Sequence, residues 1–358
     1  MDQRVKGLDL ARALAILGMV IVNFKVAMGA EQGNQVLISL TALFEGRASA
    51  LFVILAGIGI SLLTNRLRLS GSSTDQRQAR STIVKRGLLL LFVGLLFTPI
   101  WEADILHFYG CYFLIAAWLI TRSDQIILWS GAAIVALFPA LMLVIDYESN
   151  WDWETLRYEN LWTVEGMLRH ILFNGFHPVI PWSAFLLLGM WLGRLNLNCT
   201  KIRAMLLRTS LMIFVATELA FYLLREVIGA NIQGLSTDDI NFLLSTDIIP
   251  PMPQYLISAA SSAVFVLVLC LHLCDHFTHS RLLYWLRQAG KMALTLYVAH
   301  VVVGMGVLEE LGMLEGQTIA ASLISAGVFF IGEVLFSVLW LKRYRSGPLE
   351  WLFRRVAG

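Results

Sequence analysis

Ten apolar segments, joined by connections whose charge alternates in sign, leave this chain little choice but a bundle of membrane-crossing helices. The segments are Leu10–Phe24, Leu51–Leu63, Ile83–Phe97, Leu106–Ile120, Ile126–Ile145, Pro178–Leu195, Ile202–Leu224, Tyr255–Leu273, Ala293–Leu308 and Ile319–Leu341. A helix rises about 1.5 Å per residue, so about 20 apolar residues match a hydrocarbon core of about 30 Å. The shorter runs are extended by Gly, Ser, Thr and aromatic flanks, which lipid tolerates. The chain is 58% hydrophobic and only 15% charged, against roughly 25% charged in a soluble domain. The expected fold is therefore all-α, a polytopic membrane protein with a single bundle of about ten transmembrane helices spanning residues 1–358.

Basic residues set the orientation, because Lys and Arg stay on the cytoplasmic side. With the N-terminus inside, the same side receives Arg4, Lys6 and Arg12, then Arg66, Arg68, Arg77, Arg80, Lys85 and Arg86, then Arg122. Arg194, Lys201, Arg203, Arg208, Arg281, Arg287, Lys291 and the tail residues Lys342, Arg343, Arg345, Arg354 and Arg355 follow there. That is 22 of the 27 basic residues. The opposite connections are acidic, with Glu102, Asp104, Asp238, Asp239, Asp247, Glu309, Glu310 and Glu315. An even number of spans puts both termini in the cytoplasm. The opening apolar run, ending in Ala27-Met28-Gly29-Ala30, has the outline of a signal peptide, but Asp9 and Arg12 interrupt it and many spans follow, so it is expected to stay as the first span.

Two outer connections are expected to be extracytoplasmic, residues 146–177 and 225–253. In the first, Tyr147, Trp151, Trp153 and Tyr158 mix with acidic residues as at a membrane interface, and Leu161–Phe173 reads as an amphipathic helix lying on the outer leaflet. In the second, Pro250-Pro251-Met252-Pro253 forces extended backbone before the eighth span. The inner connection Asn65–Arg80, with Ser70-Gly71-Ser72-Ser73, reads as a flexible linker. The net charge of +2 argues against a nucleic-acid partner, and the four cysteines lie in or beside apolar segments, so no disulfide framework is expected. Cys270, His272, Cys274, His276 and His279 crowd one helix end but fall on different faces, so no metal is expected.

Ionisable groups at membrane depth cost roughly 2.5–3.5 kcal/mol each and mark function by default. Arg12 and Asn23 are eleven residues apart, three helical turns, and so share one face of the first span, with Asp9 beside Arg12. Lys25 points elsewhere and is expected to snorkel outward. Toward the outer side, Glu45 and Arg47 enter the second span, either as a pair that simply satisfies itself or as part of a site. His107 opens the fourth span, His177 precedes the sixth and His300 lies in the ninth. A single histidine on an apolar helix is usually a buried hydrogen-bonding residue. Several in one leaflet beside an Arg–Glu pair suggest a proton-handling site, since imidazole titrates near pH 6.5.

The run Gly7-Leu8-Asp9-Leu10-Ala11-Arg12-Ala13 through Val22-Asn23-Phe24 resembles the first span of the transmembrane acyltransferase superfamily, and more narrowly the YeiB-like bacterial membrane proteins and the heparan-α-glucosaminide N-acetyltransferases. Phe44-Glu45-Gly46-Arg47, His177–Trp182 with Leu188-Gly189-Met190, and Gly290-Lys291-Met292 through Tyr297 extend the likeness over most of the chain. The resemblance implies a bacterial cytoplasmic-membrane enzyme that moves an acyl group, acetyl or longer, from cytoplasmic acyl-CoA to an extracytoplasmic glycan or small-molecule acceptor. Arg12, Lys85, Arg86 and Lys291 would then hold the coenzyme A phosphates, with Asp9 beside Arg12 in the same cofactor site. O-acetylating relatives carry a histidine where Asn23 stands. The heparan-modifying enzymes have asparagine there and a catalytic histidine eleven residues on, which is Asn34 here. The base must then come from elsewhere: His177 first, then His107 and His300, with Asn23 orienting it or stabilising an oxyanion and Arg47, held by Glu45, on the acceptor side. Two alternatives stay open. One is a transporter or flippase with Glu218, Glu333 and His300 along its path; the other is a relative whose site has decayed. Pairing of subunits through Trp-rich faces is also compatible with the sequence.

Overall fold

The computed structural model describes residues 5–70, 73–153, 155–231 and 236–358. Arg4, Gly71, Ser72 and Gly234 lie outside the described residues, as do the side chains of Arg66, Arg68, Ser70, Ser73 and Asp239. The helices run in chain order α1 (Lys6–Ala27), α2 (Gln35–Ala42), α3 (Arg47–Ser70), α4 (Ser73–Phe97), α5 (Leu106–Leu119) and α6 (Asp124–Met142). After them come α7 (Val164–Arg169), α8 (Val179–Leu192), α9 (Thr200–Asn231), α10 (Thr237–Leu244) and α11 (Pro253–His276). The last are α12 (Arg281–Lys291), α13 (Ala293–Ala299), α14 (Gly306–Glu310), α15 (Ile319–Arg343) and α16 (Pro348–Ala357). Among the described residues the β structure is one antiparallel hairpin, β1 (Trp151–Asp152) and β2 (Arg157–Tyr158).

Six described helical segments are long and apolar enough to cross a membrane, or seven if α7, its continuation to Asn174 and α8 form one bent span. They begin at Lys6, Gln35, Asp124, Pro253, Ala293 and Ile319, and coincide with the first, second, fifth, eighth, ninth and tenth expected segments. The third, fourth and seventh fall in α4, α5 and α9. Of these, α5 has 14 residues, and Arg80, Lys85 and Arg86 lie within α4. Large side chains that a water-soluble fold would bury stand exposed, among them Trp118 at 75%, Trp129 at 74% and Leu143 at 88%, as hydrocarbon contact requires. The chain is an all-α membrane protein.

Local signals place the helix ends. Ser123, Ser280 and Thr318 each accept a backbone N–H at the start of α6, α12 and α15, satisfying donors that a helix N-terminus leaves unpaired. Pro253 opens α11, where the missing N–H costs nothing. Two expectations give way. The inner linker is largely helical, since α3 runs on to Ser70 and α4 starts at Ser73. Leu161–Phe173 is not one helix on the leaflet: α7 lasts six residues and passes into a π-helical turn, His170–Asn174, whose His170, Phe173 and Asn174 are buried. Two of these side chains have partners to reach inward: Phe173 packs with Phe138 and Tyr147, and Asn174 binds the carbonyls of Tyr147 and Ser149. Val164 and Leu168 on the same segment stay exposed.

The chain divides into two compact units. The first comprises Met1–Phe52 and Ala263–Val356; in it α1 packs against α12, α13 and α15. The connection before α15 runs beside the end of α1, with Glu315 and Gln317 donating to Ala27 and Met28 and Ile319 donating to Gln32. The second comprises Val53–Ser262 and Ala357–Gly358; in it α4 packs on α5, and α8 on α5 and α6.

Candidate functional site

In the first unit, the helix after α13 widens into a second π-helical turn, His300–Met305. Such turns insert an extra residue into the helical register and are frequent at functional sites. The turn lies close to α1 because Gly304 lacks a side chain: a Cβ there would come within 2.8 Å of the Phe24 ring. The approach brings Asn23 Nδ2 to 2.8 Å from His300 Nε2, across 277 residues of sequence. An amide nitrogen only donates, so Nε2 accepts and the imidazole proton sits on Nδ1. Nδ1 faces the carbonyls of Tyr297 and Leu296 in the preceding turn without a well-formed hydrogen bond. His300 is fully buried, with Tyr297 edge-on at 5.1 Å. Phe24 and Phe329 pack at 5.6 Å beside the pair.

Nearer the start of α1, Arg12 Nη1 pairs with Asp9 Oδ1 at 2.9 Å, and Asp9 is buried. Gly290 of α12 lies directly on the Asp9 backbone, where a Cβ would collide with the carbonyl oxygen. The next residue, Lys291, donates to Gln288 Oε1 at 2.9 Å. Asp9, Arg12 and Lys291 therefore belong to one α1–α12 seam. Lys85 and Arg86 lie on α4, in the second unit. The tail helix α16 also reaches this end of the first unit: Glu350 accepts from the N–H groups of Leu294 and Thr295 at 2.7 and 3.1 Å and from Thr295 Oγ1 at 2.6 Å.

Lys25 is not a snorkelling side chain. Its Nζ sits 2.8 Å from Glu45 Oε1, because α1 and the turn before α3 meet there. The carboxylate of Glu45 is thus engaged by Lys25, and its backbone carbonyl by the Arg47 N–H at 2.8 Å. Asn34 accepts from Val36 N at 2.8 Å and caps α2.

The second unit gathers three further imidazoles, His107, His170 and His177. His107 Nδ1 donates to Asp104 Oδ2 at 3.2 Å, with both side chains buried. The same carboxylate accepts from Leu106 N at 2.9 Å, so it both caps the start of α5 and fixes the ring's tautomer. A Cβ on Gly94 of α4 would strike the His107 backbone, so glycine is what lets α4 approach this close. The His107 and His170 rings lie 5.5 Å apart, and Phe108 bridges toward His177 at 6.0 Å. His177 sits edge-on against Trp182 at 4.5 Å, its Nδ1 buried without a hydrogen-bond partner among the described residues. Its backbone carbonyl accepts from Tyr112 Oη at 2.5 Å. Changing Asp104 to alanine is expected to destabilise the protein by about 1–3 kcal/mol, the cost of an unsatisfied buried polar group, read as a lower thermal midpoint.

His170 and Asp104 carry this cluster, yet neither stands out in the sequence as a site residue. The available signals were spacings: His170 is seven residues, two turns, before His177, and Asp104 is three before His107.

Above the imidazoles an open cleft of about 390 Å³ is lined by Thr98, Pro99, Glu102, Tyr158, Asn160 and Trp162, among others. Thr98 lies 3.5 Å from His107 Nδ1, and the Tyr158 ring lies 4.6 Å from His170. Glu102 Oε2 accepts from Tyr158 N at 3.1 Å. Partial burial raises the Glu102 carboxyl above its ordinary range, while the Tyr158 N–H and nearby Arg157 pull it back.

Comparison with known proteins agrees with this geometry in outline. The chain is 25% identical to "Uncharacterized protein YeiB" of Escherichia coli (strain K12), over 98% of this chain and 95% of that one. It is 32% identical to "Uncharacterized 39.9 kDa protein in amylase 3'region" of Bacillus acidopullulyticus, over 21% of this chain and 22% of that one. Residues 197–358 match a family described as "Protein of unknown function (DUF418)". Residues 4–227, which hold Asn23 and all three imidazoles of the second unit, match the family described as "Heparan-alpha-glucosaminide N-acetyltransferase, catalytic". That match takes in more than half of the sequence, and the chain belongs to the heparan-α-glucosaminide N-acetyltransferase catalytic family.

Proposed function

We propose that this protein is an integral-membrane acyltransferase that moves an acyl group, acetyl first, from cytoplasmic acyl-CoA to an extracytoplasmic sugar or small-metabolite acceptor. The observation that carries the proposal is the Asn23–His300 pair, a buried imidazole whose Nε2 is held by an amide 2.8 Å away. His300 acts as general base. Nε2 takes the proton of the acceptor amine or hydroxyl as that atom attacks the thioester carbonyl, and the proton then passes to the departing thiolate of coenzyme A. Asn23 must release Nε2 for this, and its N–H groups turn to the oxyanion forming on the carbonyl.

Arg12, paired with Asp9, and Lys291 hold coenzyme A phosphates at the inner end of the first unit. Ten spans in one bundle, both termini in the cytoplasm of a bacterium, and residues 146–177 and 225–253 outside complete the proposal. His300 takes precedence over His177 and His107 because it is paired with Asn23, whereas His107 binds Asp104 and His177 packs on Trp182, both in the second unit. Where the heparan-modifying enzymes place their histidine, Asn34 serves as a helix cap.

The test is the thermal midpoint of the purified protein with and without acetyl-CoA, followed by acetyl transfer to amine and hydroxyl acceptors. A rise with acetyl-CoA, together with transfer that survives His177→Ala, is the expected result. No shift at millimolar acetyl-CoA overturns the reading.

One observation favours a transporter instead. Glu333, in the middle of α15, is buried with neither carboxyl oxygen bonded among the described residues. On that reading Glu333→Gln abolishes solute movement in proteoliposomes, and acetyl-CoA has no effect on stability.

A further inference from the structure

The cleft of the second unit has a chemistry of its own. Among the described lining side chains Glu102 alone is charged, and Arg157 stands outside the lining but near enough to pull its carboxyl down. One oxygen of Glu102 accepts from Tyr158 N, which fixes the carboxylate and leaves its remaining lone pairs for a ligand. Trp162 lines the same cleft and stands 63% exposed, so its indole is accessible to a ligand there. The floor is polar but engaged: the buried Thr98 hydroxyl donates to Gly94 O at 2.9 Å and lies 3.5 Å from His107 Nδ1.

The walls are built rather than incidental. Tyr158 is held by its β1 partner Trp151 and by its hydroxyl, which donates to Asn174 Oδ1 at 2.9 Å. Asn174 is fully buried and donates to the carbonyls of Tyr147 and Ser149 at 2.8 and 2.9 Å, while Trp151 Nε1 donates to its own carbonyl at 2.6 Å. Asn160 sits at φ +57°, and its carbonyl accepts from Thr163 Oγ1 at 2.8 Å. A volume of about 390 Å³ lies in the range of small-molecule sites, roughly 300–1,000 Å³.

A carboxylate and an exposed indole side chain in one lining, with the nearby Arg157 outside that lining, favour a cation over an anion. We propose that this cleft is a binding site for a small organic ammonium ion, held by Glu102 through charge and by Trp162 through its ring face. The proposal stands apart from acyl transfer, because binding needs no acyl donor and is measured without one.

The experiment is titration calorimetry on the full-length protein in detergent, with choline as the probe and its uncharged isostere 3,3-dimethylbutan-1-ol as the control. Saturable binding of choline, weakened about tenfold by Glu102→Gln and by Trp162→Ala, is the expected result. Trp162→Ala serves as the second variant because its exposed side chain can be removed without opening the core, and a circular-dichroism melt confirms that each variant folds. Absence of choline binding, equal binding of the neutral alcohol, or affinity within about twofold in both folded variants overturns the proposal.

Discussion

His300→Ala is expected to lower acyl transfer by about 10²- to 10⁴-fold, the usual contribution of a positioned general base. Thermal stabilisation by acetyl-CoA should persist, because the residues proposed to hold its phosphates are untouched. Asn23→Ala is expected to act through the same imidazole. If it orients His300, the double variant loses little more than His300→Ala alone, since removing the second member of a unit costs little once the first is gone. A double-variant loss equal to the product of the two single losses would separate the residues and remove the basis for the pairing as a catalytic unit. Retained transfer in His300→Ala would shift the role of base to an imidazole of the second unit.

Gly290→Leu is expected to have the largest effect on stability. The glycine Cα lies against the Asp9 carbonyl, and that neighbour is helix backbone rather than the flexible end of a side chain. A bulky residue can be accommodated only by parting α12 from α1. The cost is about 1–3 kcal/mol or more for overpacking a closed seam. Stabilisation by acetyl-CoA should fall with it, because Arg12 and Lys291 flank the contact on its two helices. A variant that melts at the wild-type temperature would mean that α12 packs elsewhere.

The sequence was a good guide wherever a property belonged to one helix. Apolar length marked α1, α6, α11 and α15. The resemblance carried by Gly7–Phe24 led to the family that residues 4–227 match. What stayed hidden was pairing at a distance. Nothing local to Asn23 names His300 as its partner, and Lys25 looked like a lone interfacial cation because Glu45 reaches it only after the chain turns back. The segment Leu161–Phe173 misled for a related reason. Val164 and Leu168 do face outward as on an amphipathic helix, but His170 and Asn174 are drawn inward by partners outside the segment. Glu350 had no signal at all, since its ligands are backbone amides 55 and 56 residues away.

That last contact bears on how the protein can be handled. Terminal segments usually accept deletions and fused peptides with little penalty, yet here a tail carboxylate closes off the first turn of the helix that leads, one turn later, to His300. Trimming away Pro348–Ala357 would expose two amide donors at the root of that helix and let it fray toward the imidazole. A shortened protein should therefore lose activity before it loses its fold.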